Sequence, residues 1–280
     1  MIAPRALRVA GLWIGIAILG AILAAALAAP LLTPHDPYEQ DLLARLRQPF
    51  WHDGADPLHP FGTDHLGRDY LSRLLYGARV SLLIGAAVVA ISGLIGTTLG
   101  VVGGYLGGRV DMVVSYLLTV RLAVPVVLVA LAVVALVGAS LANLVLVLGL
   151  LLWDRFAVVV RTATRQIREM EFVAAAEAVG ATRLRIVLGE VLPNLRDTLA
   201  VVATVEMAQA ILLEAALSFL GLGVQSPVPS WGLMVAEGKE NILFEPWLIA
   251  LPGALLLALV LAINLLGDAL RDLLAPEERA

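Results

Sequence analysis

"EMEFVAAAEAVGATRLRIVLGEVLPN", residues 169–194, differs from the chain on either side of it. It carries Glu169, Glu171, Glu177, Arg183, Arg185 and Glu190, crowds alanines ahead of Gly180, and closes on Leu192-Pro193. Read as a helix, its first half places Phe172, Ala175, Ala176 and Val179 on one stripe, with Val173 and Ala174 between them and the glutamates largely elsewhere. The stripe is apolar but made of mostly small side chains, which lets a helix lie deep in a groove of another protein. Gly180 allows a turn that residues with a Cβ resist, so Ala181 begins a new direction. Pro193 either ends the following helix or opens the next one.

The flanks of this segment are apolar enough for lipid. Of 280 residues, 60% are hydrophobic and 15% charged, against about 45–50% and about 25% in soluble domains. The formal charge of −4 argues against a nucleic-acid partner, which calls for a basic face. The absence of cysteine removes disulfide and thiolate chemistry.

A spanning helix needs about 20 mostly apolar residues. Leu12–Leu32 supplies the first, and its length exceeds the roughly 7–15 apolar residues of a cleaved signal, so it reads as a retained anchor. Val80–Leu106, uncharged between Arg79 and Arg109, gives the second. Leu122–Trp153 is uncharged and too long for one crossing; divided at residues 137–140, it gives spans near Val113–Leu136 and Leu141–Val160. Asp154 and Arg155 then fall near the inner end of the fourth span, where long side chains reach water. Leu199–Leu222 and Trp247–Leu266 complete an all-α, six-helix polytopic membrane protein.

Six crossings put both termini on one side. With the termini inside, twelve Arg residues are cytoplasmic, Arg5, Arg8 and Arg279 among them, and six Arg or Lys are outside. The excess of basic residues places the N and C termini in the cytoplasm. Outside lie residues 33–79, in which Leu71, Leu74, Leu75 and Ala78 share a face suited to an interfacial helix, and the shorter loop 223–246.

Gly96, Gly100, Gly104 and Gly108 recur every four residues, a ridge that brings helix backbones close and reads as a tight pair within this chain. Charges within spans face a cavity or a partner. Arg121, Glu206, Gln209, Glu214 and Asn264 are the candidates. Glu206, Gln209 and Glu214 fall near one face of the fifth helix, as either a water-lined translocation path or an interhelical hydrogen-bond network requires. All histidines lie in the first outer loop beside aspartates, but their spacing matches no compact ligand motif, so no metal site is expected.

No stretch reads G-x-x-x-x-G-K-[ST], and the sole lysine, Lys239, has no Ser or Thr after it. No phosphate-cradling loop is present to drive transport. Energy must come from an ion gradient or from another protein. A cytoplasmic helix shaped for docking points to a separate ATPase; the alternative is an amphipathic helix resting on the membrane.

The loop resembles the E-A-A-x-x-x-G signature of ABC importer permeases, with Ala174 at the glutamate position, then Ala175, Ala176, Gly180, Glu190 at the isoleucine position, and Leu192-Pro193. "GTDHLGRDYLSRLLYGARVSL" (62–82), "LSFLGLGVQSPVPSWGLM" (217–234) and "NLLGDALRDLLAP" (264–276) resemble the dipeptide, oligopeptide and nickel permeases, second-subunit branch. In the third span, Tyr116 and Thr119 stand where relatives often carry Arg and Asp. The resemblance implies a type I importer fold and a non-catalytic subunit in a bacterial or archaeal inner membrane. Its partners would be a homologous permease, two ATPases that bind ATP and Mg, and an external solute-binding protein. The implied division is an anchor (1–32), an outer loop with an interfacial helix (33–79), a five-span core (80–276) holding an ATPase-coupling loop (161–196), and a tail (277–280).

Overall fold

The structure is a computed structural model describing residues 5–274, with side chains from residue 10 to residue 273. The Arg5, Arg8 and Arg279 side chains, the end of the third signature at Pro276 and the tail 277–280 lie outside the described residues. The chain runs through α1 (Arg5–Leu32), α2 (Tyr70–Leu106), α3 (Gly108–Ala123), α4 (Val126–Val137), α5 (Leu141–Leu151) and α6 (Asp154–Arg168). It continues through α7 (Glu171–Ala178), α8 (Arg183–Ile186), α9 (Leu192–Phe219), α10 (Trp231–Gly238) and α11 (Trp247–Leu274). Five helical segments are long and apolar enough to cross a membrane, and six if α3 and α4 count as one bent span.

Two expectations change. The helix expected to lie in the interface is the opening of α2, which runs unbroken for 37 residues. Asp69 starts it by accepting from the Ser72 amide at 2.8 Å, and Leu74 and Ala78 are buried in a core with α10 and α11 rather than laid on lipid. At about 1.5 Å per residue, α2 exceeds the roughly 30 Å hydrocarbon layer, so its first turns stand in the outer cap.

The span expected over Val113–Leu136 is broken into α3 and α4, which meet at 84°. Pro125 lacks an N–H and crowds its neighbour out of the helical region. Val124 accordingly sits at φ −106°, ψ 125°. The fourth span divides more gently at Leu152-Trp153, where no proline intervenes, and continues as α6 to Arg168.

The glycine ridge is an internal packing seam. A Cβ on Gly96 would strike the Trp153 carbonyl, one on Gly100 would lie 2.9 Å from the Ala157 carbonyl, and one on Gly104 2.7 Å from that of Arg161. α2 therefore rests its backbone directly on α6. Gly108 is off the ridge: it opens α3 at φ +52° and faces open space.

The two largest apolar cores among the described residues lie within the spans. One joins α1, α2, α9, α10 and α11 around Trp231, Ile211 and Leu259; the other joins α2, α4, α5 and α9 around Ile84, Leu148 and Leu217. At the end of the bundle expected to face outward, the signature segment 62–82 is tied to Glu237 of α10 through a largely buried ion quartet. Arg68 Nε meets Asp64 Oδ2 at 2.6 Å, and Arg68 Nη2 meets Glu237 Oε1 at 3.1 Å. Arg73 Nε meets Asp64 Oδ2 at 3.2 Å, and Arg73 Nη2 meets Glu237 Oε2 at 2.9 Å. Arg68 also donates to the Ser226 hydroxyl at 3.0 Å. Each charge faces two of opposite sign, the arrangement that makes burial of four ionised groups tolerable.

Candidate functional site

The segment 169–194, expected on the cytoplasmic side, folds as two short helices set against the ends of the spans. α7 ends in a Schellman turn: the Ala181 amide donates to the Ala176 carbonyl at 3.0 Å, and the Gly180 amide to the Glu177 carbonyl at 2.9 Å. Gly180 takes φ +86°, which explains the glycine there. Thr182 caps α8. From Val187 to Val191 the helix widens into a π turn, with the Leu192 amide donating to the Val187 carbonyl. Pro193, which has no amide to give Gly189, accounts for the change of register. Leu192 and Pro193 thus open α9, and the fifth span runs continuously from Arg183 to Phe219.

α7 presents two faces. Val173 is buried with Val101, Tyr105, Val160, Ile167, Ile186, Val191 and Leu195, a core holding the ends of α2, α6 and α9, and Ala176 and Ala181 pack against it half-buried. The other face exposes Glu171, Phe172, Ala174, Ala175, Glu177, Val179 and Gly180, with Val179 89% exposed. Ala175, Ala176, Val179, Gly180 and Ala181 line a cleft of about 430 Å³ closed by Arg185, Ile186 and Glu190. Glu169 is exposed at the end of α6. Three residues of the expected stripe, Phe172, Ala175 and Val179, are exposed together, whereas Ala176 leans inward and Val173 is the anchor.

A second, polar cavity of about 260 Å³ lies where the broken spans meet. Arg121, Val124, Pro125, Leu152, Asp154, Arg155, Glu206 and Gln209 line it. Arg155 Nη1 meets Glu206 Oε1 at 3.0 Å, and Arg121 Nη2 meets Asp154 Oδ1 at 3.3 Å. Arg121 Nε also donates to the Leu151 carbonyl at 2.6 Å, tying the end of α3 to the break between α5 and α6. Glu206 is 3% exposed, whereas the Arg155 side chain is 44% exposed.

Of the five polar residues expected within the spans, the structure brings Arg121, Glu206 and Gln209 together and separates the other two. Glu214 is fully buried and accepts from the Ser218 and Ser230 hydroxyls at 2.8 and 2.9 Å, so it belongs to an interhelical hydrogen-bond network. Asn264 is exposed on α11. Sequence reading left Asp154 and Arg155 at a span's inner end and missed that they complete the cavity; the breaking signal was Val124-Pro125. It also missed the outer quartet, although Arg68 and Arg73 are five residues apart on one signature segment. Asp64, His65 and Glu237 hold potential ligand atoms within 4.8 Å of one another. Arg68 and Arg73 already neutralise both of these carboxylates, which disfavours a cation there.

Residues 96–280 match the family described as "Binding-protein-dependent transport system inner membrane component". Residues 10–49 match "N-terminal TM domain of oligopeptide transport permease C". The chain is 41% identical to the di/tripeptide transport system permease protein DppC of Pseudomonas aeruginosa, over 94% of this chain and 87% of that protein. It is 37% identical to the dipeptide transport system permease protein DppC of Haemophilus influenzae, over 95% and 90%. With the probable D,D-dipeptide transport system permease protein DdpC of Escherichia coli the identity is 38%, over 89% and 81%. In fold it resembles a chain of the MetNI methionine ABC transporter in an inward-facing conformation, with a TM-score of 0.60, 20% identity, and 71% of this chain and 95% of that one covered. The bent and broken spans, the internal glycine seam and these matches along nearly the whole chain agree: the chain is a multi-pass membrane protein belonging to the binding-protein-dependent transport system inner membrane component family.

Proposed function

We propose that this chain is one of two homologous permease subunits in an ATP-driven importer of dipeptides or short oligopeptides. The chain catalyses no reaction itself. Two cytoplasmic ATPases bind and hydrolyse ATP with Mg, and an external solute-binding protein delivers the cargo. The peptide assignment draws on the names of relatives, which are peptide permeases at 37–41% identity.

The observation that carries the mechanism is the two-faced geometry of α7. Its exposed face, with Phe172, Ala175 and Val179, is shaped for an ATPase groove, while Val173 is rooted among residues from α2, α6 and α9. An ATPase pair that closes on ATP would displace α7, and the shared core would pass that displacement to the spans as a shift between inward-open and outward-open states. Because the coupling is a free energy, cargo delivered from outside should in turn favour ATPase closure. The segment 62–79 and the loop 223–246, held together by the ion quartet, are then the rigid platform offered to the binding protein.

Replacing Ala175 with Trp fills the docking face without entering the core. The expected result is a folded permease pair that no longer copurifies with its ATPases and takes up no peptide. Normal copurification and uptake would contradict the docking role. Uptake by the permease pair alone, in vesicles with an ion gradient and no ATPases, would instead mark a secondary carrier.

A further inference from the structure

The polar cavity joins the interiors of three helical segments. Arg121 and Arg155 stand within two residues of the middle of Gly108–Val137 and Leu141–Arg168, and Glu206 stands five residues from the middle of Arg183–Phe219. Charged groups so far from the ends of a span are costly and belong to a pathway or to one another. Here they are paired only in part. Arg155 remains 44% exposed while holding Glu206, and Arg121 meets Asp154 at the long distance of 3.3 Å. The cavity also sits at two helix breaks, Val124-Pro125 and Leu152-Trp153. Such breaks turn unpaired backbone groups and helix ends toward a solute.

We propose that this cavity receives the two charged ends of a peptide in transit, a reading that rests on the peptide-importer function proposed above. The solute's ammonium takes Arg155's place on Glu206 and faces Asp154. Its carboxylate accepts hydrogen bonds from Arg155 and Arg121, and Gln209 borders the same space. Each pair within the protein is exchanged for a pair with the solute, so no charge is left alone inside the membrane at any stage. A solute lacking one end leaves a guanidinium or a carboxylate unpaired, a penalty that discriminates by repulsion as much as by attraction. Because entry only exchanges pairs, the site binds weakly, as a point on a path must. The cavity thereby selects free peptide ends a second time, after the external binding protein.

The test uses the complete complex in proteoliposomes and compares ATP-driven uptake of a dipeptide, its N-acetyl form and its C-terminal amide. All samples share one binding protein, so any change in preference comes from the permease. Glu206→Gln is expected to slow dipeptide uptake by about tenfold, the scale of one lost charge-assisted contact, and to narrow the preference over the N-acetyl form to the part set by the binding protein. Arg155→Gln is expected to narrow the preference over the amide in the same way; with its half-exposed side chain it also carries the test should Glu206→Gln fail to assemble. Variants that assemble, retain ATP hydrolysis and keep the wild-type preferences would overturn the proposal while leaving the importer intact. A wild-type complex that takes up none of the three peptides would overturn the peptide-importer reading itself.

Discussion

Gly180 and Glu237 show how single residues set the two ends of the molecule. Gly180 has open space around it, so its demand is purely conformational: φ +86° suits glycine and strains anything with a Cβ. Gly180→Val should cost about 1–2 kcal/mol locally and reduce ATPase copurification. Gly189→Val, also in open space but without a positive φ, should leave copurification unchanged, and pull-down of both variants separates turn geometry from bulk. Glu237 balances two guanidiniums whose side chains are fully buried. Glu237→Ala leaves Arg68 and Arg73 sharing Asp64 alone, a loss of about 3–5 kcal/mol on the scale of a broken buried pair. Thermal unfolding of the purified subunit in detergent should show it as a clearly lowered midpoint. Neither role was equally visible in advance. The glycine's turn followed from its place between two amphipathic halves, but the quartet joins residues on segments more than 150 positions apart, from Arg73 to Glu237, and no local pattern encodes such a pairing.

Among elements, the seam between α2 and α6 and the kink between α3 and α4 hold the spans in their arrangement. Small residues every four positions announced the seam, and the structure shows α6 pressed on it. Gly100→Leu forces the side chain into Val160 and the Ala157 backbone, an overpacking that should destabilise by about 1–3 kcal/mol or more, whereas Gly253→Ala on α11 lies off the seam, in open space and without a positive φ. Comparing their thermal midpoints in detergent tests the assignment. The kink was not read in advance: the proline stands in plain view at position 125, but the unbroken apolar run around it reads as one crossing. Removing the proline, in Pro125→Ala, restores a backbone donor and lets α3 and α4 straighten. Because that break borders the polar cavity, uptake should fall while ATPase copurification persists, a separation measurable in the same preparation. A variant that loses both would place the kink in general folding instead.

For the whole molecule, the proposed function puts the energy source outside the chain and makes the inner ends of the spans its receiver. The length of the apolar runs revealed the spans and their order because lipid imposes one strong rule on every crossing. It did not reveal that α2 extends into the outer cap or that α6 and α9 continue past the spans toward α7, since helix length beyond the apolar stretch depends on what packs there. Those extensions root α7 among three spans through Val173, and the proposed function uses it there as a lever. The absence of cysteine allows the central claim to be tested with one engineered thiol. Val179→Cys, on the exposed face of the α7 turn, can be probed with a membrane-impermeant maleimide applied from either side, with and without the ATPases. Reaction from the cytoplasmic side alone, strongly slowed once the ATPases assemble, is the predicted result; reaction from the outer side, or at the same rate with and without them, would contradict the account.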